Sequence, residues 1–190
     1  MKTKITYFLT VLFVITYSIH AQTTQSPKKI LVAYFSHSGN TRAVANVICK
    51  MTDAEIFEIK TVKPYPEDYN TVVNIARKEL DTDFRPALKS YVKDIRQYDI
   101  IFIGYPNWWT TYPQAVKVFL SKHDLSDKVI IPFCTHEGSG LGRSVEDLKK
   151  LCQKSTISQG IAIRGSNARR ADDDIETWLK KLKIIKKLLK

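Results

Sequence analysis

Ile30-Leu31-Val32-Ala33-Tyr34-Phe35-Ser36-His37-Ser38-Gly39-Asn40-Thr41 decides how this chain is read. The first half is a nearly unbroken apolar run of strand length, as expected of a parallel strand buried on both faces. The second half is a loop of hydroxyls, an imidazole and an amide around a single glycine. Val44, Val47, Ile48 and Met51 then recur at helical spacing. A helix that starts there offers unpaired N–H groups and a partial positive charge at its N-terminus. Ser36, Ser38, Asn40 and Thr41 can donate to phosphate oxygens, and Gly39 lets the backbone come close. No Lys lies in the loop, and neither G-x-x-x-x-G-K-[ST] nor G-x-G-x-x-G occurs. The loop by itself fits a phosphate monoester, or simply a Ser/Thr helix cap.

Outward from this stretch the same alternation repeats. Residues 54–59, 99–104, 128–134 and 156–163 read as further strands. Between them, Tyr69, Val72, Val73, Ala76 and Leu80 mark a helix, and Pro113 opens another that runs through Ala115 to Leu120. Ser144 and Asp147 have the spacing of a capping box at the start of a helix to Cys152. Ile175, Trp178, Leu179 and Leu182 form the face of a last helix. Five apolar strands alternating with helices imply an α/β fold: one parallel sheet between two helical layers, with right-handed crossovers. A doubly wound, five-stranded sheet of order 2-1-3-4-5 is expected, with residues 30–182 as one domain.

The 190-residue chain carries a formal charge of +11. A basic protein attracts anions of many kinds, so charge alone selects no partner. Lys2 and Lys4, the apolar run Ile5 to Ile19 and then His20-Ala21-Gln22 have the layout of a secretory signal over residues 1–22. Residues 23–29 read as a linker. Export to the periplasm or the medium is the expectation. There is no twin arginine, so the chain is expected to cross unfolded and to acquire any cofactor outside the cytoplasm. The three cysteines form no C-x-x-C, and Cys49 and Cys152, both on expected helices, are read as small apolar residues. Residues 183–190, Lys-Ile-Ile-Lys-Lys-Leu-Leu-Lys, form a basic tail. Its composition suits weak contact with a membrane surface, or plain continuation of the last helix. No nucleic-acid reader motif accompanies the charge, and no histidine pair has metal-ligand spacing.

Ligands of such sheets bind beyond the carboxyl ends of the strands, at the switch in strand order. Two more loops therefore belong with the first. After the third strand comes Tyr105-Pro106-Asn107-Trp108-Trp109-Thr110-Thr111-Tyr112, whose four aromatics suit a flat ligand. After the fourth comes Cys134-Thr135-His136-Glu137-Gly138-Ser139-Gly140-Leu141-Gly142, rich in glycine.

Ala33 to Thr41 resembles the flavodoxin signature for the FMN phosphate. Gly104-Tyr105-Pro106-Asn107-Trp108-Trp109 resembles the strand-three loop of bacterial flavodoxin-like proteins, in which Pro-x-Trp-Trp borders the flavin ring. Pro132 to Thr135, running on to Gly138-Ser139-Gly140, resembles their strand-four loop. The resemblance implies an FMN-binding redox protein. Its cofactor residues would be Ser36, His37, Ser38, Gly39, Asn40, Thr41, Pro106, Asn107, Trp108, Trp109, Thr135, His136, Glu137, Gly138, Ser139 and Gly140. The family usually reads Thr-Ser-Gly-Gly where this chain has Thr135-His136-Glu137-Gly138. Glu137 near the N1–C2 edge of the ring would lower the flavin potential, whereas Glu137 in water would not. The basic charge also departs from the acidic flavodoxins that serve cytoplasmic reductases. Three functions stay open: an electron carrier with a redox partner protein, an NAD(P)H-dependent reductase of small quinone-like or nitro acceptors, and a flavin-free binding module that kept the fold.

Overall fold

The computed structural model describes residues 28–185. The secretory signal over residues 1–22, the linker up to residue 27 and the tail beyond residue 185 lie outside the described residues.

The elements follow the apolar alternation. In chain order they are β1 (Ile30–Tyr34), α1 (Asn40–Thr52), β2 (Glu55–Glu58), α2 (Tyr69–Asp81), β3 (Ile100–Pro106) and α3 (Gln114–Ser121). Then come β4 (Val129–His136), α4 (Ser144–Leu151), β5 (Thr156–Ile157), β6 (Ile161–Arg164) and α5 (Asp172–Lys181), with a 3-10 segment at Gly165–Arg170 before α5. The strands run parallel in the order β2-β1-β3-β4-β5. The doubly wound order expected from the sequence is the observed one.

Period-2 alternation sorts the strand residues into two cores. Leu31, Ala33, Ile101, Ile103, Tyr105 and Ile130 face one layer, where Ala115, Phe119 and Leu148 of α3 and α4 pack. Val32, Tyr34, Phe102, Ile131 and Phe133 face the other, against Val44, Ile48, Ile175 and Leu179 of α1 and α5. Each fully buried branched or aromatic side chain contributes about 1.5–3 kcal/mol of transfer free energy. The sheet is thus held from both sides, and its carboxyl edge is fixed in place beneath the loops.

The expected fifth strand over 156–163 is divided. Between the pairs Ile130↔Ile157 and Phe133↔Ile161, two β4 residues oppose three on the edge. This is a bulge, and Pro132 explains it. The Ser158 N–H donates to the Ile130 carbonyl at 2.9 Å, so Ile130 faces the edge strand. Pro132, two residues on, faces the same way and has no N–H to give. Gly160 closes the detour, where a Cβ would lie 2.7 Å from the Pro132 oxygen. The Gln159 carbonyl takes its hydrogen bond from Trp178 Nε1 at 3.0 Å instead.

The capping box expected at Ser144 is also corrected. Ser144 is inside α4, fully buried, and Arg143 is the cap residue without a side-chain bond. The Ser144 hydroxyl accepts from Tyr105 Oη at 2.8 Å, and Asp147 accepts from Thr111 Oγ1 at 2.7 Å. Tertiary donors have taken both groups. All three cysteines are free thiols, with Cys134 and Cys152 buried. Burial pushes the Cys134 thiol up to about 12.

Candidate functional site

A cavity of about 640 Å³ opens at the carboxyl edge of the sheet, between the loops after β1, β3 and β4. Its size is that of a pocket for one small ligand or cofactor.

The β1–α1 loop supplies His37, Ser38 and Asn40 to the wall. Gly39 caps α1 in the left-handed region, at φ 88°, and has no side chain to bond the helix, while Ser36 Oγ takes the Arg42 N–H of the first turn. A residue with a Cβ is strained at that backbone angle. No acid occupies the first turn of α1. The helix N-terminus therefore keeps the N–H groups of Asn40 and Thr41 and its positive end for an anion. His37 Nε2 donates to the Pro66 carbonyl at 2.8 Å, which ties this loop to the segment before α2.

The β3 loop forms the aromatic wall. Trp108 is partly buried and edge-on to Phe35, Tyr65 and His37, with centroid separations of 5.5, 5.1 and 5.8 Å. Trp108 and Thr111 exchange backbone hydrogen bonds at 2.9 and 3.2 Å, closing a tight turn. Trp109 and Thr110 at its tip both have positive φ, 51° and 68°. These are costly angles for an aromatic and a β-branched residue, so the surroundings must hold the turn. They do: Trp109 Nε1 donates to the Val73 carbonyl at 3.0 Å, Arg77 lies 5.0 Å from its ring, and Arg143 N–H donates to Thr110 O at 2.8 Å.

The β4 loop closes the third side through Thr135, His136, Glu137, Gly138 and Ser139. His136 Nδ1 accepts from the Gly138 N–H at 2.9 Å, which places the ring proton on Nε2. The Glu137 side chain reaches toward α1. Its Oε1 lies against the space a Gly165 Cβ would fill, and Asn40 Nδ2 is 2.7 Å from that same space. Glu137 is therefore at the phosphate-loop end of the cavity. Arg164 Nη2 donates to the Glu137 carbonyl at 3.3 Å and steadies the β4 loop without lining the cavity.

Ser36, Gly39, Thr41 and Gly140 do not line the cavity. Ser36 Oγ accepts from the Arg42 N–H at 3.3 Å. Thr41 is buried, and its hydroxyl is 2.8 Å from that of Thr135. Asn107 N–H donates to Thr135 O and Asn107 Nδ2 to Gly140 O, both at 2.8 Å. Thr41, Asn107, Thr135 and Gly140 thus clamp the three loops together. Sequence reasoning missed Tyr69, Val72, Val73 and Ala76 of α2, together with Thr110 and Gly165, which also line the cavity. The four α2 residues carry a helical period, which marks a helix and says nothing of what lies opposite. Nothing in the sequence marked Gly165.

A family model described as flavodoxin matches residues 29–182. The chain belongs to the flavodoxin family. Family members hold FMN, and FMN is the cofactor against which this chain's loops are measured. A solved Bacteroides eggerthii protein assigned to the flavoproteins is 32% identical, covers 82% of this chain and 98% of its own, and superposes with a TM-score of 0.73. A Bacteroides uniformis protein with the same assignment is 27% identical over 80% of this chain and 99% of its own, with a TM-score of 0.69. A Lactobacillus acidophilus flavoprotein, solved in complex with FMN, is 23% identical and shares the fold, with a TM-score of 0.66 and coverage of 80% and 98%. No curated protein matches the chain. Within the flavodoxin family, the open first N–H groups of α1, the hydroxyl loop and the Trp108 wall fit FMN by charge and donor set.

Proposed function

We propose that this protein is an exported redox protein that binds FMN in the cavity and exchanges electrons with a partner protein. One observation carries the reading. A helix N-terminus left free for an anion and a wall of clamped aromatics share one cavity at the switch point of the sheet.

FMN, when bound, supplies the electron chemistry. The chain does the rest. Ser38, Asn40 and the first N–H groups of α1 would hold the phosphate. Trp108, fixed by Phe35 and Tyr65, would shield the ring from water. His136 would offer its Nε2–H as a donor to the cofactor. Asn107 and Thr41 keep the loops at fixed spacing, so little ordering remains when the cofactor arrives.

A flavin titration of the chain lacking residues 1–22 tests this. One FMN bound per chain, with visible absorbance and a measurable pair of reduction potentials, is the expected result. A chain that stays colourless with excess FMN is a binding module instead. A steady-state assay with NADH and a soluble quinone separates carrier from reductase, and slow turnover is expected for the carrier. Export is tested by fractionation: the chain should be recovered outside the cytoplasm with its N-terminus near residue 22. Recovery of the uncleaved chain in the cytoplasm would overturn that part.

A further inference from the structure

Helix α2 has a cavity on each side. Tyr69, Val72, Val73 and Ala76 face the first, whereas Ile75, Lys78 and Glu79 face a second of about 550 Å³. The second lies between α2 and two segments, residues 62–66 and 82–87. An antiparallel bridge between Thr61 and Leu88 pairs these segments, with the Val62 N–H donating to Ala87 O at 2.8 Å. Pro64, Pro66 and Pro86 stiffen the walls, and Asp83 is anchored by Lys117 and Arg85. The cavity is therefore built into the fold, and it is predominantly apolar.

Its buried polar feature is Glu79, which is 8% exposed. Glu79 Oε2 accepts from Tyr65 Oη at 2.7 Å. Among the described residues, Oε1 has no hydrogen-bond donor, and the side chain lines the cavity. A largely buried carboxylate with one oxygen open to the cavity favours a ligand that donates. The charges narrow the choice. Lys63 and Lys78 at the rim disfavour a cation, and Glu79 disfavours an anion. Phe84, 56% exposed at the mouth, offers a ring face that no protein group covers fully.

We propose that this second cavity is a binding site for a neutral aromatic alcohol of one or two rings, whose hydroxyl donates to Glu79 Oε1 while its ring packs on Phe84, Ile75 and the prolines. The Tyr65 ring of this cavity meets Trp108 of the first at 5.1 Å, so the two cavities touch through one ring contact. The site does not depend on the flavin reading, since none of its lining residues lines the first cavity.

The test is calorimetric titration of the full mature chain with 2-naphthol, without FMN and with saturating FMN. Binding in both conditions is expected. 2-Methoxynaphthalene, 2-naphthoate and 2-naphthylmethylammonium should each bind at least about tenfold more weakly, as loss of a hydrogen bond to a charged acceptor or a like-charge clash requires. Glu79→Gln should weaken 2-naphthol about fivefold. Phe84→Ala alters an exposed wall residue and leaves folding intact, and it should weaken 2-naphthol severalfold. Displacement of 2-naphthol by FMN, equal affinity for the methoxy or charged analogues, unchanged affinity in Phe84→Ala, or no heat at millimolar probe would each overturn the proposal.

Discussion

Glu137→Gln should tighten FMN and leave riboflavin alone. The Glu137 carboxylate shares with Asn40 Nδ2 the space in front of Gly165, at the end of the cavity where α1 begins. A phosphate that accepts from Asn40 comes within about 7 Å of that carboxylate. Glu137 is solvent-exposed, so a dielectric constant close to that of water applies. A charge of −2 against −1 at about 7 Å then repels by about 1 kcal/mol. Removing it tightens binding about fivefold. The assay is quenching of flavin fluorescence on titration with wild type and variant, using FMN and riboflavin in parallel. The gain should appear at about 10 mM salt and vanish near 1 M, where the Debye length falls from about 30 Å to about 3 Å. Riboflavin lacks the phosphate, so its affinity should not change. Equal gains for both flavins would refute the placement of Glu137 beside the phosphate, and so would any loss of FMN affinity. A shifted midpoint potential with unchanged FMN affinity would instead support a carboxylate at the ring.

Further outcomes follow from the packing. Thr41→Val removes a buried hydroxyl from Thr135, and should cost about 1–2 kcal/mol in chemical denaturation and loosen FMN without changing its spectrum. Gly104→Ala drives a methyl into the Phe133 ring, 2.7 Å from Cε1 and nearer still to Cζ and Cε2, in the centre of the sheet. It should destabilise by about 1–3 kcal/mol, with partial recovery when Phe133 is also shortened to Leu. Asp83 is held down to about 2 by its hydrogen bond from Lys117 and then that from Arg85. Its folded value lies below the ordinary 3.8, so its stabilisation is complete above that pH and is lost as pH falls through about 2. Asp83→Asn should cost under about 1 kcal/mol at neutral pH, since the pair is exposed. The gap in melting temperature between wild type and Asp83→Asn should close between pH 4 and pH 2.

The fold was legible because strands buried on both faces have to be written as continuous apolar runs, and Ile30 to Phe35 or Ile100 to Gly104 can be little else. The break at Ser158–Gly160 was not legible, because its cause lies in another strand: Pro132 withholds a donor from a neighbour 25 residues or more away in sequence. Ser144 and Asp147 kept the spacing of a cap, yet Tyr105 and Thr111 claimed their oxygens through contacts no local pattern records. The phosphate loop was readable since helix start and anion donors coincide in it. Its division of labour was not. Thr41 looks like a donor to ligand in sequence and acts as a clamp in space, because burial alone separates the two roles. The α2 wall was missed for a related reason: an apolar helical stripe looks the same whether sheet or cofactor lies opposite.

The split of the last strand has a consequence at the scale of many molecules. An edge strand is a template on which another chain can add itself. Here the β5–β6 margin is only two residues long before the bulge twists it out of register, and the opposite margin, β2, is four residues with a glutamate at each end. Neither margin offers the flat, uncharged ribbon that aggregation requires. The same Pro132 that costs the sheet one hydrogen bond makes the sheet finite, and it guards a concentrated solution of the folded protein against edge-to-edge growth.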